Sequence, residues 1–234
     1  MKSVLIVGAT QGTGLQLAAE YARQGANVVI TGRDAQRAAD VAAELSKDVT
    51  GTVSGMALDL SVPGELAGVL ASTERIDRLA IVGAVRDRNT LATYDIAKAT
   101  ELAVTKIVGY TAVVSALAPR MAKDASILIF GGMAKAYPYP GSTTVTAVNS
   151  AVTGVVRTLS VELAPVRVNA IHPGPIEDSP FWQDESRKDM VDFWRKQALT
   201  GELARMDDIV NASLFLLENP LANGIDLSAD GGHV

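Results

Sequence analysis

Three glycines, Gly8, Gly12 and Gly14, are spaced G-x-x-x-G-x-G between an apolar run, Val4 to Val7, and an amphipathic pattern that begins at about Leu15. Glycine suits a chain that reverses tightly and whose backbone must approach a ligand with no Cβ in the way. A helix that starts there turns its unpaired N–H groups and positive dipole end towards the loop, so the implied chemistry is anion binding. Gly8, Thr10, Gln11, Gly12, Thr13 and Gly14 are the expected contacts. The spacing departs from the G-x-G-x-x-G dinucleotide fingerprint, and an ordinary tight turn also uses glycines, so the rest of the chain has to decide.

The next chemically informative stretch is Thr31-Gly32-Arg33-Asp34, at the end of a second apolar run. An acid at this corner would bind a ribose 2′-hydroxyl, whereas arginine accommodates a 2′-phosphate. Gly32 carries no acid, and Arg33 can meet phosphate with a charge-assisted fork. NADP(H) is therefore the expected cofactor. Against this stand a solvated turn charge at Arg33 and an Asp34 that turns inward. Asp59, at the end of a third run, either accepts from an adenine amino group or caps the segment that starts near Val62.

These residues need a scaffold that brings strand ends together. Short β-branched runs alternate with helical patterns, which predicts repeated βαβ units and a parallel sheet. Expected strands are Val4 to Val7, Ala26 to Thr31, Thr52 to Leu58, Ile76 to Val82, Ala125 to Phe130, Val166 to Ile171 and Gly224 to Leu227. Expected helices include Asp34 to Lys47, a segment with Pro63 in its first turn, the long runs Ala97 to Leu117 and Thr144 to Leu163, a polar excursion at Phe181 to Leu199, and Met206 to Leu217. The reading is a single α/β domain over residues 1–234, with no internal repeat or linker.

Composition narrows the function classes. The 234 residues carry a net charge of −5 with both signs dispersed, which argues against a nucleic-acid groove or a polybasic membrane patch. With no cysteine there is no disulfide framework, thiolate metal site or cysteine nucleophile, and two distant histidines make no zinc site. Met1, Lys2 and Ser3 lead straight into the first strand, leaving no room for a signal peptide, and no apolar run is expected to reach the ~20 residues of a membrane span. A soluble, cytoplasmic protein acting on a small molecule is expected.

The chain resembles the short-chain dehydrogenase/reductases over essentially its whole length. The resemblance rests on Gly8-x-x-x-Gly12-x-Gly14, Asp59-Leu60, Val166-Arg167-Val168-Asn169-Ala170, Pro173-Gly174-Pro175-Ile176 and Asp230-Gly231-Gly232. It implies a Rossmann fold with a doubly wound seven-stranded parallel sheet, helices on both faces, a nicotinamide dinucleotide and a homo-oligomer, a tetramer or dimer, built through the two long helices. It also implies a substrate-covering excursion at about 177–200, and adds Asn149 and Ile176 to the cofactor contacts.

The family's catalytic asparagine, serine, tyrosine and lysine are all replaced. Aligned on the fifth strand, the serine position falls on Gly132. Thirteen residues later Val145 stands for the tyrosine, and four beyond that Asn149 stands for the lysine. Lys106 occupies the asparagine position, and Ile81-Val82-Gly83-Ala84 replaces the Asn-Asn-Ala-Gly after the fourth strand. Valine and glycine hold no proton to give, and general acid–base help is worth roughly 10²–10⁴ in rate.

Three readings survive. A reductase could use other groups, Tyr137, Tyr139 or Lys106, with Lys135, Ser142, Thr143 and Thr144 nearby, or carry out an imine-type reduction of a substrate that is already an iminium and needs only hydride. A cofactor-bound enzyme could catalyse a non-redox isomerisation or cyclisation. A non-catalytic protein could sense NADP(H). Met133, Trp182 and Trp194 are expected at an apolar substrate pocket, although the tryptophans could equally pack the excursion onto the domain. His172, before Pro173, is read as a support for the backbone rather than a catalyst.

Overall fold

Strand β1 (Ser3–Val7) is apolar at every position from Val4 on, so it needs cover on both faces and has it. Val4 and Ile6 enter a core with Leu17, Tyr21, Ile209 and Leu216. Leu5 and Val7 enter the opposite core, with Tyr110, Val113, Leu117, Val152 and Val156. The period of two along a strand makes this division, and each fully buried branched side chain contributes about 1.5–3 kcal/mol.

The computed structural model describes every residue except Ala84, Arg86 and Val234. Among the described residues, seven strands form one sheet in the order β3-β2-β1-β4-β5-β6-β7. The others are β2 (Asn27–Gly32), β3 (Thr52–Ala57), β4 (Ile76–Ile81), β5 (Met121–Phe130), β6 (Arg167–Pro173) and β7 (Asp226–Ala229). Every pairing is parallel. The direction of winding reverses between β1 and β4, where Val7 lies opposite Ile81. Ligands of such sheets bind beyond the carboxyl ends of the strands at that point. This is the doubly wound α/β Rossmann architecture expected from the alternation of runs.

The helices are α1 (Gly12–Arg23), α2 (Ala35–Leu45), α3 (Leu66–Val69), α4 (Ile96–Ala103), α5 (Tyr110–Leu117), α6 (Thr143–Glu162), α7 (Lys188–Gln197) and α8 (Met206–Glu218). Helices α1 and α8 cover one face, and α5 and α6 the other. Several boundaries differ from those expected. Helix α1 begins at Gly12, not Leu15, because two glycines are accommodated in its first turn. Strand β5 begins at Met121, not Ala125, and β7 runs from Asp226 to Ala229. The Pro63 segment is a 3₁₀ turn followed by the short α3.

Two differences concern the long helix. Between α4 and α5 the chain forms a π-helical turn, Val104–Gly109, where an uninterrupted α-helix was expected. Gly109 permits close approach there, since a Cβ would lie 2.4 Å from Leu60 O. The continuous run Ile96–Arg120 is also long and apolar enough to cross a membrane by length and composition, contrary to the expectation that no such run exists. Its residues Leu102, Tyr110, Val113 and Leu117 are buried in this fold.

Candidate functional site

At the end of β1 the backbone turns through Gly8, whose φ of +82° few residues other than glycine adopt. A Cβ on Gly8 would lie 2.3 Å from Gly83 Cα, so the loops after β1 and β4 touch only because both positions are glycine. Gly8 and Ala9 donate to Thr31 O at 3.1 and 3.0 Å, tying the loop to β2. Gln11, at the start of α1, makes no side-chain cap, which leaves the first-turn N–H groups available at the loop. A Cβ on Gly14 would meet Gly8 O at 2.7 Å and Ala9 Cα at 3.0 Å. Gly14 therefore packs the helix against its own strand end, whereas the sequence assigned it to the approach of a ligand. Gly8 and residues Thr10 to Gly14 line a cleft of about 950 Å³ across the carboxyl ends of the strands.

One end of that cleft is basic. Gly32 and Arg33 line it. Asp34 does not turn inward: its carboxylate accepts from Arg37 N at 2.8 Å and caps α2. Arg37, which sequence reasoning missed, donates from Nη2 to Gln11 Oε1 at 2.9 Å, so a second guanidinium is tied to the glycine loop. Its place one helical turn after Arg33 was the available signal. Asp59 lines the cleft, yet its Oδ1 accepts from Ser61 N at 2.9 Å and Ser61 Oγ at 2.7 Å, so it also closes the local turn.

The other end gathers Lys106, Gly132, Met133, Tyr139, Val145, Asn149, Ile176, Trp182 and Trp194 around the same cavity. Lys106, only 6% exposed on the π turn, donates to Gly131 O at 3.0 Å and to Asn149 Oδ1 at 2.6 Å. π turns recur at functional sites because they re-aim side chains within a helix. A cation thus sits on the helix before β5, and its hydrogen-bond partner on α6 is neutral. A Cβ on Gly132 would come within 2.8 Å of Asn149 Nδ2, so this glycine leaves room for the amide. Val145 presents only methyl groups.

Aromatic rings form the remaining wall. Tyr139 meets Trp194 edge-on at 5.8 Å between centroids, and Trp194 meets Phe193 at 5.2 Å. Phe181 and Trp182 are perpendicular at 5.1 Å. The tryptophans therefore pack the 177–200 excursion and border the cavity at once.

Other candidates lie elsewhere. Tyr137, offered above as an alternative catalytic group, is absent from the cavity lining, unlike Tyr139, and packs 6.0 Å from the His233 ring. Lys135 pairs with Asp226, and the Ser142 hydroxyl is engaged with Tyr139 N and Thr146. Ala84, in the segment after β4, lies outside the described residues.

His172, with no exposed surface, supports the cleft floor. Its Nδ1 accepts from Gly132 N at 3.2 Å, so the ring proton is on Nε2, which donates to Asp226 Oδ1. Burial, with the nearby Lys135 charge, pushes the imidazole below its ordinary pKa and keeps it neutral. Burial would raise the Asp226 pKa, but the hydrogen bond from Lys135 and the neighbouring His172 hold the carboxyl below its usual range. Thr153 Oγ1 completes the group at 2.9 Å from Asp226 Oδ2.

Sequence reasoning also passed over Asp87 and Thr105, which line the same cavity. Asp87 follows β4 at the strand-end side of the sheet, where such loops carry function, and that position was its only signal.

Comparisons with known proteins agree with this geometry. Residues 8–233 match the family model described as Enoyl-(Acyl carrier protein) reductase. The subunit BbsD of (2S)-[(R)-hydroxy(phenyl)methyl]succinyl-CoA dehydrogenase from Thauera aromatica is 31% identical over 231 residues, 92% of this chain and 88% of that protein. The short-chain dehydrogenase/reductase ucsE of an Acremonium species is 27% identical over 252 residues, 99% of this chain and 94% of that one. The solved structure of MalC Reductase/Diels-Alderase from Malbranchea aurantiaca superposes with a TM-score of 0.90 at 25% identity, covering 99% of this chain and 95% of that chain. With a glycine loop at the β1/β4 switch point and a family match across nearly its whole length, the chain belongs to the short-chain dehydrogenase/reductases.

Proposed function

We propose that this protein is an NADP(H)-dependent oxidoreductase that reduces a carbon already electrophilic enough to need no proton from the enzyme, the C=N carbon of an iminium, or of an imine protonated before it binds, in an apolar pocket. The observation that carries this reading is Val145 lining the cleft where the family resemblance expects an acid, with Gly132 beside it. In this reading the first turn of α1 and the loop Gly8 to Gly14 hold the pyrophosphate. Arg33, with Arg37 behind Gln11, holds the 2′-phosphate. Asp59 receives the adenine edge, and Ile176 packs beside the nicotinamide ring. When bound, the reduced nicotinamide supplies a hydride that the C=N carbon accepts, its π pair becoming the nitrogen lone pair, so an iminium needs no proton.

The remaining roles belong to side chains around the reacting carbon. Asn149 supplies a neutral hydrogen-bonding group for the ribose, and Lys106 orients it through Oδ1. Tyr139 offers a hydroxyl to a substrate heteroatom, and Met133, Trp182 and Trp194 exclude water. The 177–200 excursion covers the bound substrate, and the protein works as a homo-oligomer. A panel of cyclic imines and iminium salts, set beside matched ketones, tests the reading by loss of NADPH absorbance. Imine-dependent oxidation with inert ketones is expected; ketone turnover at comparable rates, or oxidation with neither, overturns it.

A second reading draws on the likeness to MalC, whose name joins a reductase to a Diels–Alderase. The same aromatic cavity would then promote a non-redox ring closure with the cofactor as a spectator. Product formation without change in NADPH absorbance separates this from the first reading.

A further inference from the structure

Asp87 is a buried carboxylate that the roles above do not use. It is 6% exposed and lines the cleft, and its Oδ2 has no hydrogen-bond partner. Thr105, 3% exposed on the π turn, lines the same cavity with an equally unpartnered Oγ1. Asn89, two residues on from Asp87, exchanges hydrogen bonds with the Asp95 backbone at 2.6 and 2.7 Å and bridges to Ser142 at the start of α6. A buried carboxylate oxygen with no hydrogen-bond partner is costly, so a donor that arrives from the cavity would be bound strongly.

The chemistry around it selects the kind of partner. Among the described residues no group of three His, Cys, Asp or Glu is placed to hold a metal ion. Aromatic residues, Tyr139, Trp182 and Trp194, line the same cavity. Aromatic faces beside carboxylates, Asp87 with Glu101 also lining the cavity, favour an organic cation over an inorganic one. Lys106 and Arg88 also line the cleft: the Lys106 ammonium donates to Gly131 O and Asn149 Oδ1, and Arg88 Nη2 lies 3.6 Å from Met190 Sδ.

We propose that Asp87 is the counter-ion for a cationic nitrogen of the substrate, an iminium or alkylammonium group, with Thr105 Oγ1 as a second polar contact. The proposal rests on the imine reading for its choice of substrate class, and its own content is a binding site. Positive charge on the nitrogen is present in the iminium and is lost as the carbon is reduced. Asp87 therefore acts on substrate affinity, and holds the amine product only once its nitrogen has taken a proton from water.

The test uses N-methyl-3,4-dihydroisoquinolinium, a permanent cation, and its neutral carbon analogue 2-methyl-3,4-dihydronaphthalene. Binding of each to the NADP⁺-loaded protein is measured by calorimetry, for the parent chain and for Asp87→Asn. The expected result is that the parent prefers the cation, and that Asp87→Asn weakens cation binding about thirtyfold or more with the carbon analogue unchanged. Thr105→Val should weaken the cation by a smaller factor. Equal cation affinity in Asp87→Asn, or equal affinity of the parent for both probes, overturns the proposal. If Asp87→Asn does not fold, the parent's preference between the probes and the Thr105→Val result still decide. Cation binding through Asp87 without NADPH oxidation would sink the reductase reading and leave this site standing; NADPH oxidation that survives Asp87→Asn with unchanged KM would do the reverse.

Discussion

Lys106 donates through Nζ to Asn149 Oδ1 across 2.6 Å, joining the π turn to the middle of α6 beneath the cleft. The charge and the amide are exchanged relative to the positions the family resemblance assigns them. Removing either residue takes from the other a buried hydrogen-bond partner, so the two should behave as a unit. Lys106→Met is expected to cost about 1–3 kcal/mol by stranding Gly131 O and Asn149 Oδ1. In a domain of this size that lowers Tm by roughly 2–12 °C, and the cofactor should bind more weakly. The double swap, Lys106→Asn with Asn149→Lys, should recover more stability than the two single changes sum to, as a double-mutant cycle by thermal melting would show.

Gly132→Ser is expected to fail as a restoration of carbonyl chemistry. Its Cβ would lie 2.8 Å from Asn149 Nδ2, so the serine pushes the amide off Lys106. Destabilisation of about 1–3 kcal/mol, as for an overpacked site, should follow. Adding Asn149→Ala should relieve it. A single substitution as stable as the parent would show that Asn149 has room to move.

Arg33→Ala should weaken NADPH binding by about tenfold or more while leaving NADH nearly unchanged, because only the 2′-phosphate answers the guanidinium. Arg37→Ala should act in the same direction with a smaller effect, through Gln11 and the loop it steadies. Fluorescence titration with both cofactors measures the ratio. Equal losses for the two cofactors would remove the basis for preferring NADP(H).

Gly14→Val should abolish binding of either cofactor and lower Tm together. The added Cβ would meet backbone, Gly8 O at 2.7 Å and Ala9 Cα at 3.0 Å, and cannot be relieved by rotating a side chain. Calorimetric melting beside cofactor titration separates this from simple blockage of the site, which would leave Tm untouched.

Stability should fall as pH drops below the ordinary histidine value of 6.5. His172 is held neutral in the fold with its pKa lowered, so over that window the unfolded chain binds the proton first. Stability is then fully present above 6.5 and is lost as pH falls towards the lowered folded value. Protonation also puts a donor on Nδ1 facing the Gly132 N–H, which breaks the anchor beneath the cleft. Urea unfolding at about pH 7 and about pH 5 should show a drop that His172→Gln lacks.

Much of the scaffold was legible in the chain because it follows from local rules. Apolar runs of strand length, helical periodicity between them and glycines after the first strand specify a parallel α/β sheet and a glycine turn at its carboxyl edge with no knowledge of distant contacts. Arg33 was legible for the same reason, since a charge one residue past a strand end has few places to go. Interactions between segments far apart in sequence were not legible. The exchange of a charge between Lys106 and Asn149 spans 43 residues and depends on a π turn that no periodicity announces. The direction of Tyr137 towards His233, and the loss of a partner at Asp87, depend on how loops from different strand ends close over one another. Residue type limited which chemistry each position could offer. Packing across the sheet's carboxyl edge decided which of those groups face one another, because burial and hydrogen-bond satisfaction there are set by several segments at once.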